Sequence, residues 1–421
     1  MSFFIQALFI AIPIFSILII IEHVVSIYAG IKINRATDII SSLSSGITNI
    51  TKDGMKFGIV IISYSFLLEH LTVFKIDTLW ISIPLAILVQ DFSGYWLHRL
   101  NHRVNIFWNR HVIHHSSEEF NLSCALRQSI SETVHFGAIL MIPAALFGVP
   151  TKIFAFLGPL HLFMQFWYHT KLINKMGWLE NIIVTPSHHR VHHAINNEYI
   201  DKNYGQIFII WDKLFGTFQP ELNRVKPVFG ILRPSKTWNP VIINYKHLWQ
   251  LIQDAYHTKK LWDKLRIWFM PTGWRPKDVE LQFPLDSIKK PREQIKYQTE
   301  ASLLFIIWSF IQLKVALVLM FHFFTVIHLQ KPELNYIYGG FIIFHVFSFT
   351  SALDRKKLSI TTEFIKVIAL SLLLFKQNFM WFGLNANYGN LLLVYSFISL
   401  GATIYFYKSF KTNLKYLIKN V

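Results

Sequence analysis

The feature that most constrains how this chain can fold is a series of apolar segments, each about long enough to cross a bilayer. Crossing a ~30 Å hydrocarbon core takes about 20 predominantly apolar residues in a helix. The segments predicted to span are residues 3–21, 55–74 and 79–95, with three or four more among the blocks at 302–328, 337–350, 361–375 and 391–407. The first segment lacks the basic start and cleavage site of a signal peptide, so we interpret it as a retained anchor.

A further apolar block at residues 134–167 is interrupted near its middle by Pro143, Gly148 and Pro150. Such residues favour a helical hairpin over one straight helix, and a hairpin returns the chain to the side from which it entered. The loop after the first span carries four basic residues, and the next connection carries one. Because basic loops tend to face the cytoplasm, we expect the long polar region at residues 170–300 to be cytoplasmic.

These patterns predict an all-α integral membrane protein in which a transmembrane helix bundle is capped by a cytosolic helical domain. We expect N-terminal transmembrane helices at residues 1–97, a histidine-rich catalytic region at 98–300 and C-terminal transmembrane helices at 301–421. Residues 245–270 mix Trp, Leu and Ile with Lys and Arg. This mixture suits either a helix lying in the membrane interface or an ordinary amphipathic surface helix.

The composition supports the membrane class and limits the possible metal ligands. Hydrophobic residues make up 52% of the chain, and the formal net charge is +17. The basic residues flank apolar segments instead of forming a separate arm, so membrane topology explains them better than a nucleic-acid partner does. The only cysteine, Cys124, excludes an intramolecular disulfide or a thiolate cluster within one chain. Any bound metal must therefore have nitrogen and oxygen ligands.

Nineteen histidines are the outlying feature of the composition, and the first regular group follows the third predicted span. Asp91, Tyr95, His98 and His102 stand at spacings of four, three and four. On a helix these side chains share one face. We therefore predict that His98 and His102 bind one metal, and that Asp91 and Tyr95 lie behind them, nearer the membrane, as candidate catalytic residues.

Two further groups repeat the pattern H-x-x-H-H. The first places His111, His114 and His115 on one helical side, and the second follows Thr185-Pro186, where Thr185 suits an N-cap and Pro186 the first turn of a helix. The ligands predicted from this second repeat are His189, His192 and His193. Eight imidazoles exceed the four ligands of a structural metal twofold, which indicates two metal ions. The alternatives are hydrogen-bonded surface or core histidines and a histidine-rich metal store, but stores tend to be irregular histidine tracts.

Spacing does not identify the metal, because imidazole suits iron, zinc, copper and nickel alike. An all-imidazole site also leaves the charge of two divalent ions uncompensated, so an anion must lie close. The nearby carboxylates are Asp91, Glu118, Glu119 and Asp201, with a bridging hydroxide as a further candidate. Asp91 is favoured because an unpaired carboxylate within a span is unfavourable, although a pairing with an arginine is an equal alternative.

His161, Gln165 and His169 form another stripe with intervals of four at the end of the predicted hairpin. His169 lies at the cytoplasmic end of this stripe, so we predict that it is a ninth ligand. His161 and Gln165 lie deeper and are candidates for contacts behind the ligands. His188 points about 100° away from His189 on a helix, which favours a contact with substrate or with a ligand over metal binding.

The three boxes read HRLNH, HVIHH and HRVHH, and they resemble those of the membrane fatty acid hydroxylase and sterol desaturase superfamily. The runs HHSSEEFNLSCALRQS, QFWYHT, TPSHHRVHH and DKNYGQIFIIWDKLFGTF are similar to its alkylglycerol monooxygenase branch, over residues 80–220. The resemblance implies a dimetal centre between membrane helices and a cytosolic cap, with ligands at the eight box histidines and a further position at His169. It also implies cleavage of glyceryl ethers with O2 and tetrahydrobiopterin.

One residue departs from the pattern of that branch. Arg103 follows His102, whereas the animal members have a glutamate at this position. The charge beside the metal centre is therefore reversed. This difference leaves pterin use by this chain open, with an external electron donor, such as a redox protein, as the alternative.

Our leading hypothesis is that two iron ions activate O2 to hydroxylate a lipid C–H bond. If that carbon bears an ether oxygen, the hydroxylated product is a hemiacetal that separates into an aldehyde and glycerol. A second hypothesis keeps the centre but makes the substrate a sterol, a fatty acyl chain or a carotenoid. A third is a zinc-dependent hydrolase or a non-enzymatic metal-binding membrane protein. The Ile-, Lys- and Asn-rich sequence suggests a bacterial inner membrane, with the active site facing the cytoplasm.

Overall fold

The computed structural model of the protein describes residues 3–76 and 78–419, most of which are helical. The N-terminal helices are α1 (Phe3–Tyr28), α2 (Ala36–Gly54), α3 (Tyr64–Leu71) and α4 (Leu79–Arg103). The central helices are α5 (Asn105–Trp108), α6 (Val112–His115), α7 (Ile142–Leu146), α8 (Thr151–Phe166), α9 (Pro186–His192), α10 (Ile210–Leu214), α11 (Pro240–His257), α12 (Leu261–Arg266) and α13 (Lys277–Gln282). The C-terminal helices are α14 (Leu303–Val326), α15 (Pro332–Leu353), α16 (Leu358–Lys376) and α17 (Ala386–Lys419).

The remaining regular elements are short. Two strands, β1 (Ile59–Val60) and β2 (Val134–His135), pair in parallel. Short 3-10 helices occupy Leu122–Leu126, Gly137–Met141, Gly177–Asn181 and Pro291–Glu293.

Five helices in the described part of the chain are long and apolar enough to cross a membrane. They cover Gln6–Tyr28, Leu303–Val326, Pro332–Leu353, Leu358–Lys376 and Ala386–Lys411. The mean hydropathy of their most apolar windows runs from 1.4 to 2.5. The predicted fold class, an all-α integral membrane protein, is therefore confirmed.

The predicted span at residues 55–74 is wrong. After α2 ends at Gly54, the chain forms β1, and the Ile59 amide donates to the Thr133 carbonyl instead of to a helical partner. The Ser63 hydroxyl then accepts from the Phe66 amide and starts α3, which has only eight residues. The apolar residues here satisfy their backbone groups through a neighbouring strand and a short helix. Apolarity alone does not distinguish this arrangement from one long helix.

The other two interrupted regions also differ from simple spans. Residues 79–95 lie within the longer α4, which continues to Arg103 and is not among the five candidate spans. Within residues 134–167 the helical arms are unequal: α7 has five residues and α8 has sixteen. Gly148 joins them with a φ of 68°, a conformation that glycine adopts without strain. Both arms pack against α4.

The C-terminal helices α14–α17 form a bundle with a large aromatic and aliphatic core, and α2 packs against its first two helices. A polar cluster lies inside this bundle. The Lys366 ammonium donates to Glu363 at 2.7 Å and approaches His345 Nδ1 at 3.2 Å, and the Ser399 hydroxyl donates to Glu363 at 2.5 Å. All four side chains are buried. Charged groups at such depth require partners, and this cluster supplies them within the bundle.

Residues 245–270, for which the sequence leaves an interface helix and a surface helix as alternatives, lie mostly on α11 and α12. Asn239 caps α11 by accepting from the Val241 and Ile242 amides, and its side-chain amide donates to the Ser351 hydroxyl at the end of α15. Trp249 and Tyr256 on the outer side of α11 are 60% and 78% exposed. This arrangement is amphipathic, and it is compatible with both of the alternatives given above.

Asp354, which follows α15, joins the cap to the C-terminal bundle. Its carboxylate accepts from the Trp238 amide at 2.7 Å, from the Tyr297 hydroxyl at 3.1 Å and from the Thr237 hydroxyl. The carboxylate therefore binds two separate segments of the polar region to the end of a membrane helix.

Replacing Asp354 with alanine should destabilise the protein because it leaves the Trp238 amide and the Tyr297 hydroxyl without their acceptor. Unsatisfied buried donors cost about 1–3 kcal/mol each, so the apparent Tm of the purified protein should fall clearly. The control is Glu293→Ala, which removes an exposed ion pair with Lys290 and should change the Tm little. Equal Tm values for the two variants would contradict the proposed joint.

Candidate metal centre

The first two predicted ligands lie at the end of α4, where the helix leaves the apolar part of the molecule. His98 and His102 share one face of its last turns, with ring centroids 5.2 Å apart. The His98 Nδ1–H donates to the Tyr204 carbonyl at 2.8 Å, which turns its Nε2 toward the second box. There it lies 3.0 Å from His111 Nε2.

The second box contributes to two different sets of histidines. α6 spans Val112–His115, and His111 occupies its N-cap position. His114 and His115 are adjacent, so on a helix their side chains diverge by about 100°. His115 Nε2 lies 3.1 Å from His102 Nε2, whereas His114 Nε2 lies 3.4 Å from His169 Nε2.

The third box lies on α9, which begins as predicted with Thr185 at the N-cap and Pro186 in the first turn. His189 Nε2 lies 2.8 Å from His169 Nε2 and 2.9 Å from His193 Nε2. His192 points to the other set, with its Nε2 3.1 Å from His115 Nε2.

The nine histidines predicted as ligands thus come together in two clusters within the described part of the chain. Cluster 1 consists of His98, His102, His111, His115 and His192, and cluster 2 of His114, His169, His189 and His193. In each cluster the candidate ligand atoms lie within 4.8 Å of one another. The clusters are neighbours, since the His115 and His193 rings stack at 4.2 Å.

The nitrogen spacing fits metal ions at the centre of each cluster. Two metal–nitrogen bonds of about 2.1 Å at a right angle place their nitrogens about 3.0 Å apart, and a tetrahedral angle places them about 3.4 Å apart. Five of the six Nε2–Nε2 separations given above are 2.8–3.1 Å, and one is 3.4 Å. Cluster 1 also offers five nitrogens, one more than a tetrahedral structural zinc accepts.

Backbone carbonyls fix the orientation of four of these imidazoles. The donors are the Nδ1–H groups of His98, His114, His169 and His192, and the acceptors are the carbonyls of Tyr204, Arg127, Gln165 and Lys202, at 2.8–3.2 Å. A hydrogen bond at Nδ1 leaves the lone pair on Nε2, which is the atom that faces the cluster. Such outer contacts set the tautomer of metal-binding histidines.

Burial keeps the imidazoles uncharged. It lowers the pKa of His114 to about 4, and it lowers the pKa values of His102, His111 and His115 well below the usual range, with neighbouring imidazoles adding to the effect. Removal from water disfavours the charged imidazolium. At neutral pH these residues therefore present lone pairs, as metal binding requires.

Asp91 lies outside both clusters, and both of its oxygens are occupied. It accepts from the Ile207 amide at 2.8 Å, the Phe208 amide at 3.0 Å and the Trp211 indole at 2.9 Å. His161 Nε2 lies 3.2 Å from its Oδ1. Asp91 thus pairs with a histidine and not with an arginine, and it anchors residues 207–211 to α4. These contacts are those of a positioning residue, and the catalytic role expected from its place in the stripe stays a prediction.

Tyr95 also lies outside both clusters. Its hydroxyl lies 3.0 Å from the Thr217 hydroxyl and accepts from Arg99 at 3.0 Å, and its ring stacks on Phe215. Here too the contacts are those of a residue that packs α4 against the 204–217 segment. A direct role at the metals has no support in these contacts.

The remaining predicted site residues support the ligands from outside. Gln165 provides the carbonyl that orients His169, and its side-chain amide lies 2.9 Å from His161 Nδ1. His188 belongs to neither cluster. Its Nδ1 accepts from the Thr185 amide at 3.4 Å, and its ring faces Phe218, so it helps to start α9.

The other carboxylates near the boxes pair with arginine or lysine side chains, and Glu118 contacts Arg35 at 3.4 Å. Glu119 contacts Arg35 at 3.1 Å and Lys296 at 2.7 Å, and Glu118 accepts from the Tyr297 amide at 2.6 Å. Asp201 pairs with Arg103 at 2.5 Å, so the residue that departs from the branch pattern forms a partly exposed ion pair.

Sequence reasoning missed two buried residues that hold the clusters. Asp212 accepts from the Tyr204 and Gly205 amides at 2.7 Å and so fixes the carbonyl that orients His98. Arg127 binds Asp38 at 2.9 Å and donates to the Ser116 hydroxyl beside His115. Both residues fall within runs quoted for the family resemblance, but no spacing rule marks them.

Five apolar helices, together with nine imidazoles in two adjacent clusters, eight of them buried and His111 partly so, define a membrane protein with a histidine-rich metal site. A family model described as fatty acid hydroxylase matches residues 83–217, which contain all nine histidines. The chain belongs to the fatty acid hydroxylase family, and it is an integral membrane oxidoreductase.

Several characterised relatives support this assignment. Human alkylglycerol monooxygenase is 37% identical over 315 residues, covering 74% of this chain and 69% of the relative. The Xenopus tropicalis enzyme of the same name is 32% identical over 368 residues, or 87% and 81% of the two chains. An ornithine lipid hydroxylase of Rhizobium tropici is 32% identical over 136 residues, or 32% and 41%. No solved structure matches the chain.

Removing one histidine from each cluster should affect the metal content. We expect His102→Ala and His169→Ala to retain clearly less metal than the unaltered protein, because each cluster loses one of its candidate ligands. Elemental analysis of gently purified protein measures this. His257→Ala is the control, because His257 is exposed and solitary. Unchanged metal content in both cluster variants would contradict the assignment.

The variant Asp91→Asn tests whether Asp91 positions residues 207–211 or binds the metal. The amide cannot accept from all four donors that now face the carboxylate, so the apparent Tm should fall by an amount corresponding to about 1–3 kcal/mol, while the metal content stays unchanged. Asp201→Asn serves as the control, since it removes only a partly exposed ion pair. Loss of metal at an unchanged Tm would identify Asp91 as a ligand instead.

Proposed function

We propose that this chain is an O2-dependent di-iron lipid monooxygenase that hydroxylates the carbon beside an ether oxygen and so cleaves glyceryl ethers. The observation that carries the proposal is the pair of adjacent clusters with five and four uncharged imidazoles. The substrate class is taken from the alkylglycerol monooxygenases among its relatives, which are 32–39% identical to it.

Iron fits this donor set better than a structural zinc. Cluster 1 offers five nitrogens, one more than the usual zinc ligand number. Two iron ions held by clusters 1 and 2 would supply the reduction of O2 and the oxidation of a C–H bond. The protein contributes uncharged ligands, so the centre keeps its positive charge and attracts electrons from the substrate.

The net reaction consumes an alkyl ether, O2, two electrons and two protons. One oxygen atom enters the C–H bond beside the ether oxygen, giving a hemiacetal, and the other leaves as water. The carbon–oxygen bond of the hemiacetal then breaks, which releases a fatty aldehyde and glycerol. The two electrons require a reductant, either tetrahydrobiopterin, which the family resemblance implies, or an external redox donor.

Aromatic side chains enclose the clusters and keep bulk water away from the reacting carbon. Phe120 is fully buried, with its ring 5.4 Å from that of His193, and Tyr168 lies 4.3 Å from His189. Trp108 covers the other cluster, 5.1 Å from His102. An apolar wall of this kind suits an alkyl chain and strengthens electrostatic interactions inside the site.

We place the centre on the cytoplasmic side of the membrane. The basic loop that follows α1 contacts the second box region directly, through Arg35 and Glu119 at 3.1 Å. α2, which follows that loop, packs against Leu122–Leu126. The loop and the centre therefore share one side, and basic loops favour the cytoplasm. The bacterial inner membrane stays a prediction from composition.

The test uses purified full-length protein loaded with iron in lipid nanodiscs and supplied with a 1-O-alkylglycerol and tetrahydrobiopterin. We expect O2 uptake and fatty aldehyde in equal amounts, and a loss of at least 100-fold in His115→Ala and His193→Ala, since each removes a ligand. His257→Ala should keep its activity. Release of a fatty alcohol without O2, or equal rates with zinc, would favour the hydrolase hypothesis. O2 uptake only with a sterol or an acyl lipid would support the second hypothesis, in which the same centre acts on a sterol, a fatty acyl chain or a carotenoid.

A further inference from the structure

The outer surface of the C-terminal bundle carries an apolar groove far along the chain from the metal-binding boxes. It lies between α14 and α17 and has a volume of about 340 Å³. Its walls include Leu304, Ile307, Trp308 and Ile311 of α14, and Gly401 and Tyr405 of α17. The residues of α14 extend over two turns, about 10 Å along the helix axis. Gly401 opens the groove, because a Cβ at this position would meet no atom within 4 Å.

One end of this groove is basic. Arg355, in the turn between α15 and α16, stacks its guanidinium over Phe305 at 4.8 Å and over Phe410 at 4.2 Å. Phe305 in turn packs against Phe406, a wall residue of the groove, at 5.1 Å. The guanidinium therefore lies one helical turn beyond the groove, at the end where Asp354 joins the bundle to the cap.

Arg355 is only partly satisfied by the protein. One of its terminal nitrogens donates to the Glu300 carbonyl, but its Nε is buried and has no hydrogen-bond partner among the described residues. The other terminal nitrogen has no acceptor among the described residues, so the anionic oxygens of a ligand could accept from it, whereas the buried Nε is closed to a ligand. The nearby carboxylate of Asp354 is already used by Trp238 and Tyr297.

The surroundings add positive charge at the same level. Lys356 and Lys357 follow Arg355 directly and are exposed, and Lys411 follows Phe410 on α17. An apolar groove that ends at clustered cations between membrane helices matches the two parts of a phospholipid, an acyl chain and an anionic head group. Arginine suits phosphate because its planar group donates two parallel hydrogen bonds.

We propose that this groove binds one anionic phospholipid, with an acyl chain along α14 and α17 and the phosphate against the Arg355 guanidinium. The site is independent of the proposed function, because it uses no residue of the metal clusters. Bound lipid would bridge two membrane helices and the turn that carries Asp354. It would thereby stabilise the junction between the C-terminal bundle and the cap.

Two variants test the two parts of the site. Gly401→Leu places an apolar side chain in the groove at a position where its Cβ meets no atom within 4 Å. Arg355→Gln removes the charge while keeping a polar side chain. Gly340→Leu is the matched control, since Gly340 is also an exposed helical glycine with open space at its Cβ. Lys331→Gln, at the opposite end of the bundle, controls for loss of one positive charge.

The measurements are phospholipid retained by detergent-purified full-length protein, by native mass spectrometry, and the rise in Tm on adding phosphatidylglycerol or phosphatidylcholine. We expect retained lipid and the rise with phosphatidylglycerol to fall at least fivefold in Gly401→Leu and Arg355→Gln but not in the controls. Equal stabilisation by phosphatidylcholine, or by inorganic phosphate alone, would overturn the proposal. So would a dimer that Gly401→Leu dissociates, since the groove would then hold a second copy.

Discussion

The structure depends on nine imidazoles that stay uncharged while their Nε2 atoms face one another at close range. With lone pairs directed at the same point, these nitrogens repel each other unless a cation lies between them. Burial lowers their pKa values, so protons do not readily take that place at neutral pH. A metal ion between them would relieve this repulsion, so metal binding would contribute to folding as well as to chemistry.

The backbone carbonyls that orient the imidazoles belong to segments that are themselves held by hydrogen bonds to other residues. The Tyr204 carbonyl, which binds His98, is held by Asp212 through the adjacent amides. Asp91 likewise accepts from the Ile207 and Phe208 amides and so binds residues 207–211 to α4. Asp91 and Asp212 thus connect α4, which carries the first box, to the loop that fixes the geometry of that box.

The C-terminal bundle lies outside the region matched by the family model, yet it is joined to the cap by specific polar contacts. Asp354 binds Trp238 and Tyr297, and Asn239 binds Ser351. Inside the bundle, Glu363 and Lys366 pair where neither could stay charged alone. The bundle is therefore not an independent anchor, since changes at its cap-side end should reach the segments that pack on the second histidine box.

The sequence by itself determined the all-α membrane class, the set of nine histidines that cluster and the start of α9 at Thr185. Regular spacing on a helix decides which side chains share a face. The tertiary structure decided the division of those histidines into sets of five and four, since adjacent residues such as His114 and His115 diverge toward different partners. It also turned residues 55–74 into a strand and a short helix, and it surrounded Asp91 with four donors. These outcomes depend on segments distant in sequence, β2 for β1 and residues 207–211 for Asp91. Local periodicity holds no information about which distant backbone groups will supply the missing hydrogen bonds.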